Sequence, residues 1–184
     1  MDRGGPPARE VGGSLGDLEA LGRVPLSTAH VVTISDGVFH GTREDKSGAA
    51  LVTLLTKERF DVSGPDVVPD DVERITEAVV TAVTRGVDLV VATGGTGLGP
   101  RDVTPQAMAI LIDYEVPGIG ETMRREGASS TPMAMLSRSL AGVRAKTLIV
   151  SVPGSMSGAV ESLQAVLPVV SHAIKLLSGD TAHS

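Results

Sequence analysis

Short, strongly apolar runs alternate along this chain with longer stretches whose apolar side chains recur every three or four residues, the two periods of strands and helices. His30-Val31-Val32-Thr33-Ile34-Ser35 reads as a first strand. A polar, Gly-containing loop follows from Asp36 to Lys46, and Leu51, Leu54 and Leu55 then mark a helix over 47–59. Residues 60–68 read as a second strand, which Pro65 makes an edge strand or an irregular one. Val72, Ile75, Val79, Ala82 and Val83 form one helix face over 71–85. The run Val87 to Ala92 has the character of a strand buried on both faces of a parallel sheet. Thr104 is expected to cap a helix whose first residue is Pro105 and which ends near 113. Tyr114 to Gly120 reads as a turn, Glu121 to Gly127 as a short helix, and 128–143 as irregular. Lys146 to Val152 is another apolar strand, and a helical region then runs to about Leu177, kinked or divided by Pro168.

This alternation predicts a single three-layer α/β/α domain with a mostly parallel sheet, over residues 28–180. Residues 1–27, rich in Gly and Pro, read as a mobile tail with at most a helical turn at Asp17–Leu21. In a parallel sheet the carboxyl ends of the strands share one edge. The polar loops Ser35-Asp36, Thr93 to Asp102 and Pro153 to Ser157 are therefore expected to converge on one crevice.

The candidate chemistry centres on Gly94-Gly95-Thr96-Gly97, between a strand end and a helix start. Glycines there let backbone N–H groups approach an anion, and the helix N-terminus adds favourable partial charge. Arg101 in the same loop suits an anion, and Asp102 suits a cation such as Mg²⁺. The loop is neither a Walker A sequence nor a dinucleotide fingerprint, and taken alone it is equally a flexible connection. Asp70 carries two readings. Asp70-Asp71-Val72-Glu73 fits a helix start with Asp70 as cap and Glu73 as its capping-box partner. The preceding strand also delivers Asp70 to the same sheet edge as Asp102, where a metal ligand is needed.

Composition narrows the classes of partner. With one Tyr, two Phe and no Trp in 184 residues, the core is aliphatic and no stacking platform for nucleic acid is available. A net charge of −6 argues against an electrostatic grip on nucleic acid or an anionic membrane. The absence of cysteine excludes disulfides, thiolate zinc sites and cysteine nucleophiles. His30, His40, His172 and His183 lack metal-ligand spacing and read as surface or loop residues. No apolar stretch of membrane-span length and no signal core is apparent, so a cytoplasmic protein is expected.

Eight segments in order resemble the MogA/MoaB family of molybdenum-cofactor biosynthesis proteins, which also includes the G domain of plant and animal homologues. They are Thr33-Ile34-Ser35-Asp36, Asp45-Lys46-Ser47-Gly48, Val68-Pro69-Asp70, Gly94-Gly95-Thr96-Gly97, Arg101-Asp102-Val103-Thr104-Pro105, Val116-Pro117-Gly118-Ile119-Gly120-Glu121, Leu136-Ser137-Arg138 and Pro153-Gly154-Ser155. The resemblance implies molybdopterin adenylyltransferase activity, in which the terminal phosphate of molybdopterin attacks the α-phosphate of Mg-ATP and pyrophosphate leaves. It implies a homotrimer and hand-over to a molybdate-inserting protein. On this resemblance Gly94, Gly95, Thr96 and Gly97 cradle nucleotide phosphates, and Asp70 and Asp102 position Mg²⁺ directly or through water. Ser137 and Arg138 hold the pterin or its phosphate. Ser35, Asp36, Pro153, Gly154 and Ser155, with Glu121, close the pocket. Local readings of the same residues are a turn for Asp36, a surface loop for Ser137 and Arg138, and a first-turn helix acid for Glu121. The alternatives are a MoaB-type molybdopterin-binding paralogue without turnover and, more distantly, a nucleotide-diphosphate hydrolase.

Overall fold

Strands β1 (Thr28–Ile34), β2 (Asp61–Val68), β3 (Leu89–Thr93) and β6 (Thr147–Val152) lie parallel in the computed structural model. The structure describes Met1 and residues 27–179, so most of the expected tail, its helical turn and His183 lie outside the described residues. Strand β5 (Ala141–Arg144) pairs antiparallel with β6, and β4 (Tyr114–Glu115) antiparallel with β5. The sheet order is β2-β1-β3-β6-β5-β4. The helices are α1 (Asp36–Phe39), α2 (Lys46–Lys57), α3 (Val72–Thr84), α4 (Thr104–Leu111), α5 (Pro117–Ser130) and α6 (Met156–Ser178), with a 3₁₀ turn at Pro132–Leu136.

The apolar runs form the middle of the sheet because both of their faces are covered. Alternate residues of β1, β3 and β6 point to opposite sides. Val31, Leu89, Val91 and Val150 meet Leu51 and Leu55 of α2, Met123 of α5 and Leu163 of α6. Val32, Val90 and Ile149 meet Ile75 and Val79 of α3 and Met108 of α4. The three layers and the mostly parallel sheet follow the periodicity, and Pro65 does lie in an edge strand.

Several local expectations need correction. The loop after β1 contains the short helix α1. Residues 114–143, read as a turn, a short helix and an irregular stretch, form β4, a longer α5, the 3₁₀ turn and β5. Strands of two and four residues are too short to show a period; β5 forms on the edge that β6 supplies, and β4 on the edge of β5. Thr104 is the first residue of α4 rather than its cap, and Pro105 follows it. Its hydroxyl instead donates to the carbonyl of Gly94 at 2.8 Å. Pro168 does not divide the last helix. Both Pro168 and Gln164, whose carbonyl loses its partner there, are exposed, so water can satisfy that carbonyl. By length and composition α6 is apolar enough to cross a membrane, contrary to the sequence expectation. Here Ala159, Leu163, Val166 and Val170 on one of its faces are buried against the sheet.

His30 is no surface residue. It is 2% exposed, with Nδ1 2.8 Å from Ser63 Oγ and Nε2 3.1 Å from Asp66 Oδ2. Its two partners lie on either side of the point where β2 carries one extra residue against β1. His30 thus fastens the edge strand across its irregularity.

Candidate functional site

The loop after β3 is held from several directions. Buried Thr93 donates its hydroxyl to the carbonyl of Pro153 at 2.8 Å, and Gly94 N–H donates to Val152 at 3.2 Å. These bonds pin the exits of β3 and β6 side by side. Gly94 has φ +108°, and a Cβ there would run into the carbonyl oxygen of Ile34 at the end of β1. Gly95 has φ +60°, and its Cβ would meet the Thr104 hydroxyl at 2.5 Å and Asp70 Oδ1 at 3.1 Å. Three strand ends therefore crowd one backbone turn that only glycine fits.

Arg138 holds the same loop from behind. Its Nε donates to Gly97 O at 2.8 Å, its Nη2 to Asp102 O at 2.5 Å, and its own N–H to Thr96 O at 2.8 Å. Thr104 N–H takes the carbonyl of Gly95 at 3.1 Å. With these carbonyls satisfied, the N–H groups of Gly95, Thr96 and Gly97 have no protein acceptor among the described residues. Consecutive unpaired amides of this kind make an anion-binding concavity. The Asp102 carboxylate accepts from Gly99 N–H through Oδ2 at 2.7 Å, and its other oxygen has no donor among the described residues.

On the β1 side stands a charged cluster. Asp36 N–H donates to Asp70 Oδ2 at 2.8 Å, and Asp70 N–H donates to Asp36 Oδ1 at 3.1 Å. Arg101 grips Asp36 through Nε and Nη2 at 2.8–3.0 Å. That guanidinium, and then the Asp70 N–H, hold the Asp36 carboxyl below its ordinary value. Burial pushes Asp70 up, the Asp36 N–H opposes the rise, and the negative charge of Asp36 adds to it. The helix-cap reading of Asp70 is overturned. Asp71 caps α3, its carboxylate accepting from Arg74 N–H at 3.0 Å. Ser35 likewise caps α1, accepting from Val38 N–H at 3.3 Å.

A cavity of about 520 Å³ opens on the other side of the glycine loop. Of the residues singled out in the sequence, Gly95, Thr96, Gly97, Asp102, Ser137, Pro153, Gly154 and Ser155 line it. Ser35, Asp36, Asp70 and Arg101 lie outside this lining, in or beside the neighbouring charged cluster. Arg138 props the loop, and Glu121 is exposed on α5 and outside the lining. Among the described residues no three acidic or histidine side chains come close enough to hold a metal by themselves. The cavity also recruits residues that sequence reasoning missed: Arg124 of α5, whose Nη1 donates to Ser139 O at 2.7 Å, and Glu161 and Ser162 of α6. No local signal sets these three apart, because both helices carry other polar residues, among them Gln164, His172 and Lys175 in α6.

Residues 30–172 match the sequence profile of a family described as "Probable molybdopterin binding domain". The chain is 36% identical over 163 residues to a molybdenum cofactor biosynthesis bifunctional protein of Synechococcus elongatus, covering 89% of this chain and 51% of that one. It thus spans about half the length of that relative. It is 34% identical over 160 residues to a molybdopterin adenylyltransferase of Helicobacter pylori, covering 84% and 91% of the two chains. Among solved structures, the molybdopterin biosynthesis enzyme MoaB of Thermus thermophilus matches with 46% identity and a TM-score of 0.79, covering 84% of this chain and 98% of that one.

Proposed function

The chain belongs to the family of molybdopterin-binding domains of molybdenum-cofactor biosynthesis, and we propose that it transfers an adenylyl group from ATP to molybdopterin. In this reaction an oxygen of the terminal phosphate of molybdopterin bonds to the α-phosphorus of ATP. The bond from that phosphorus to the bridging oxygen breaks, and pyrophosphate carries away the electron pair. Two anions must meet, so positioning and charge neutralisation dominate the catalysis. The observation that carries this reading is the row of unpaired amides at Gly95, Thr96 and Gly97, residues that line the cavity, with Asp102 in the same lining and Asp70 beside Gly95.

Those amides hold phosphoryl oxygens without bringing a titratable group to the reaction. Asp102 keeps one carboxylate oxygen free of Gly99, and Asp70 keeps Oδ1, beside Gly95, free of Asp36. Hard oxygen donors of this sort fit Mg²⁺ held directly or through water. When bound, Mg²⁺ supplies charge neutralisation on the nucleotide phosphates.

Incubation with molybdopterin and Mg-ATP tests the proposal. Adenylylated molybdopterin and an equal amount of pyrophosphate are expected. The MoaB name of the Thermus thermophilus relative favours one second reading, a binding paralogue. That reading predicts molybdopterin binding with no pyrophosphate. ATP consumption without the pterin would indicate a hydrolase. Cytoplasmic localisation, a homotrimer and hand-over of the product to a molybdate-inserting protein belong to the same proposal. Light scattering should then give three times the 18.8 kDa mass of the chain, and a monomer would remove the trimer from it.

A further inference from the structure

The cavity has two polar ends of different character. At the glycine loop it offers N–H donors, the Thr96 hydroxyl and Asp102. Ser162, seven residues along α6 from the capping residue Ser155, lies about 10 Å of helix away from that end. There Glu161 and Ser162 line the wall. Ser162 is 7% exposed, yet its hydroxyl has no hydrogen-bond partner among the described residues and no fully buried, unpaired oxygen is present among them. That hydroxyl therefore opens into the cavity. Glu161 makes no ion pair or hydrogen bond among the described residues either. Arg124 does not neutralise it, because that guanidinium donates to the carbonyls of Ser139 and, more weakly, Ser137. Met123, Met133 and Leu136 add apolar surface suited to a flat ring.

We infer that Glu161 and Ser162 select the pterin by reading the 2-amino-4-oxo edge of its ring. The inference rests on the molybdopterin reading and adds the residues that decide which heterocycle enters. That edge presents two adjacent donors, the 2-amino group and N3–H, followed by the O4 acceptor. A carboxylate offers two acceptors in parallel, and a neighbouring hydroxyl offers the donor. The Watson–Crick edge of adenine pairs one donor with one acceptor, so a carboxylate leaves the adenine N1 lone pair facing negative charge. The same two side chains thus keep ATP's base out of the pterin end and commit each substrate to its own side of the loop.

Glu161→Gln replaces one acceptor by a donor on an exposed helix position, where folding is unaffected. Titration with molybdopterin should show Kd raised by at least about tenfold in the variant, the loss of one charge-assisted bond, with Mg-ATP affinity unchanged. Competition with 6-hydroxymethylpterin and 6-hydroxymethyllumazine sharpens the test, since lumazine carries an oxo group in place of the 2-amino group. The protein should prefer the pterin, Glu161→Gln should lose that preference, and Ser162→Ala should weaken both ligands equally. If Glu161→Gln binds molybdopterin as the unsubstituted protein does and still discriminates, the assignment of Glu161 is overturned while the molybdopterin reading stands. If the unsubstituted protein binds no molybdopterin, both fall.

Discussion

The two sides of the glycine loop use arginine in opposite ways. On the β1 side Arg101, 66% exposed, faces a carboxylate and locks Asp36 against Asp70 in an ionic arrangement that water can reach. On the cavity side Arg138 and Arg124, both partly buried, face backbone carbonyls and leave the amides of Gly95, Thr96 and Gly97 without an acceptor among the described residues. An exposed ion pair contributes little to stability, but it sets the protonation of its neighbours. A partly buried guanidinium on carbonyls is scaffolding, and removing it strands several acceptors at once. Arg101 therefore acts through charge, and Arg138 and Arg124 through the backbone they position.

Substitutions on the two sides should separate these roles. The largest effect is expected from Asp102→Ala, which removes the carboxylate that belongs to the cavity lining. Adenylyl transfer should fall at least about a hundredfold, roughly 2.7 kcal/mol of transition-state stabilisation, with the thermal midpoint little changed. Normal turnover at saturating Mg-ATP would take Asp102 out of the mechanism. Next, Arg138→Met should lower stability by about 2–3 kcal/mol and Tm by roughly 5–10 °C, with activity falling alongside. If calorimetry shows an unchanged midpoint, the scaffolding role of Arg138 is wrong.

Asp70 and Asp71 offer a sharper contrast between adjacent residues. Asp70→Asn keeps an acceptor for the Asp36 amide but loses the charge, so turnover should drop at least about tenfold with Tm unchanged. Asp71→Ala should cost about 1 kcal/mol of stability and leave turnover intact. Exchange of these two outcomes would restore the cap to Asp70.

The smallest effect is a displacement in pH. Asp70 must be ionised to serve a metal, and its carboxyl titrates above the ordinary 3.8. Activity should therefore fall with acid at a higher pH than for an ordinary aspartate. Arg101 counteracts that rise, so in Arg101→Gln the acid limb of kcat/KM should move to still higher pH. The stability that Arg101 adds through Asp36 is present above 3.8 and disappears as pH falls toward the lowered native value. Denaturation of the two proteins should thus converge at low pH. An acid limb that stays in place in the variant would detach Arg101 from the titration of Asp70.

Much of this arrangement was written locally in the chain. The apolar runs of β1, β3 and β6, the helix faces of 47–59 and 71–85, and the glycine turn each depend on neighbours a few residues away. Their periods and turn chemistry survive without a tertiary partner. The sheet edge on which Ser35, Gly94 and Pro153 meet followed from the parallel topology those elements imply. Tertiary structure alone decided the rest. Strand β5 exists because β6 offers it an edge, and β4 because β5 then does the same. Asp71 rather than Asp70 caps α3 because Asp36 claims Asp70 from 34 residues away. Arg138 turns to the glycine loop 41 residues earlier in the chain, His30 finds Ser63 and Asp66 across a strand pair, and Glu161 and Ser162 gain a cavity to face. Periodicity records which side of an element is apolar. Which polar group a side chain meets depends on chain segments brought together only when the layers pack.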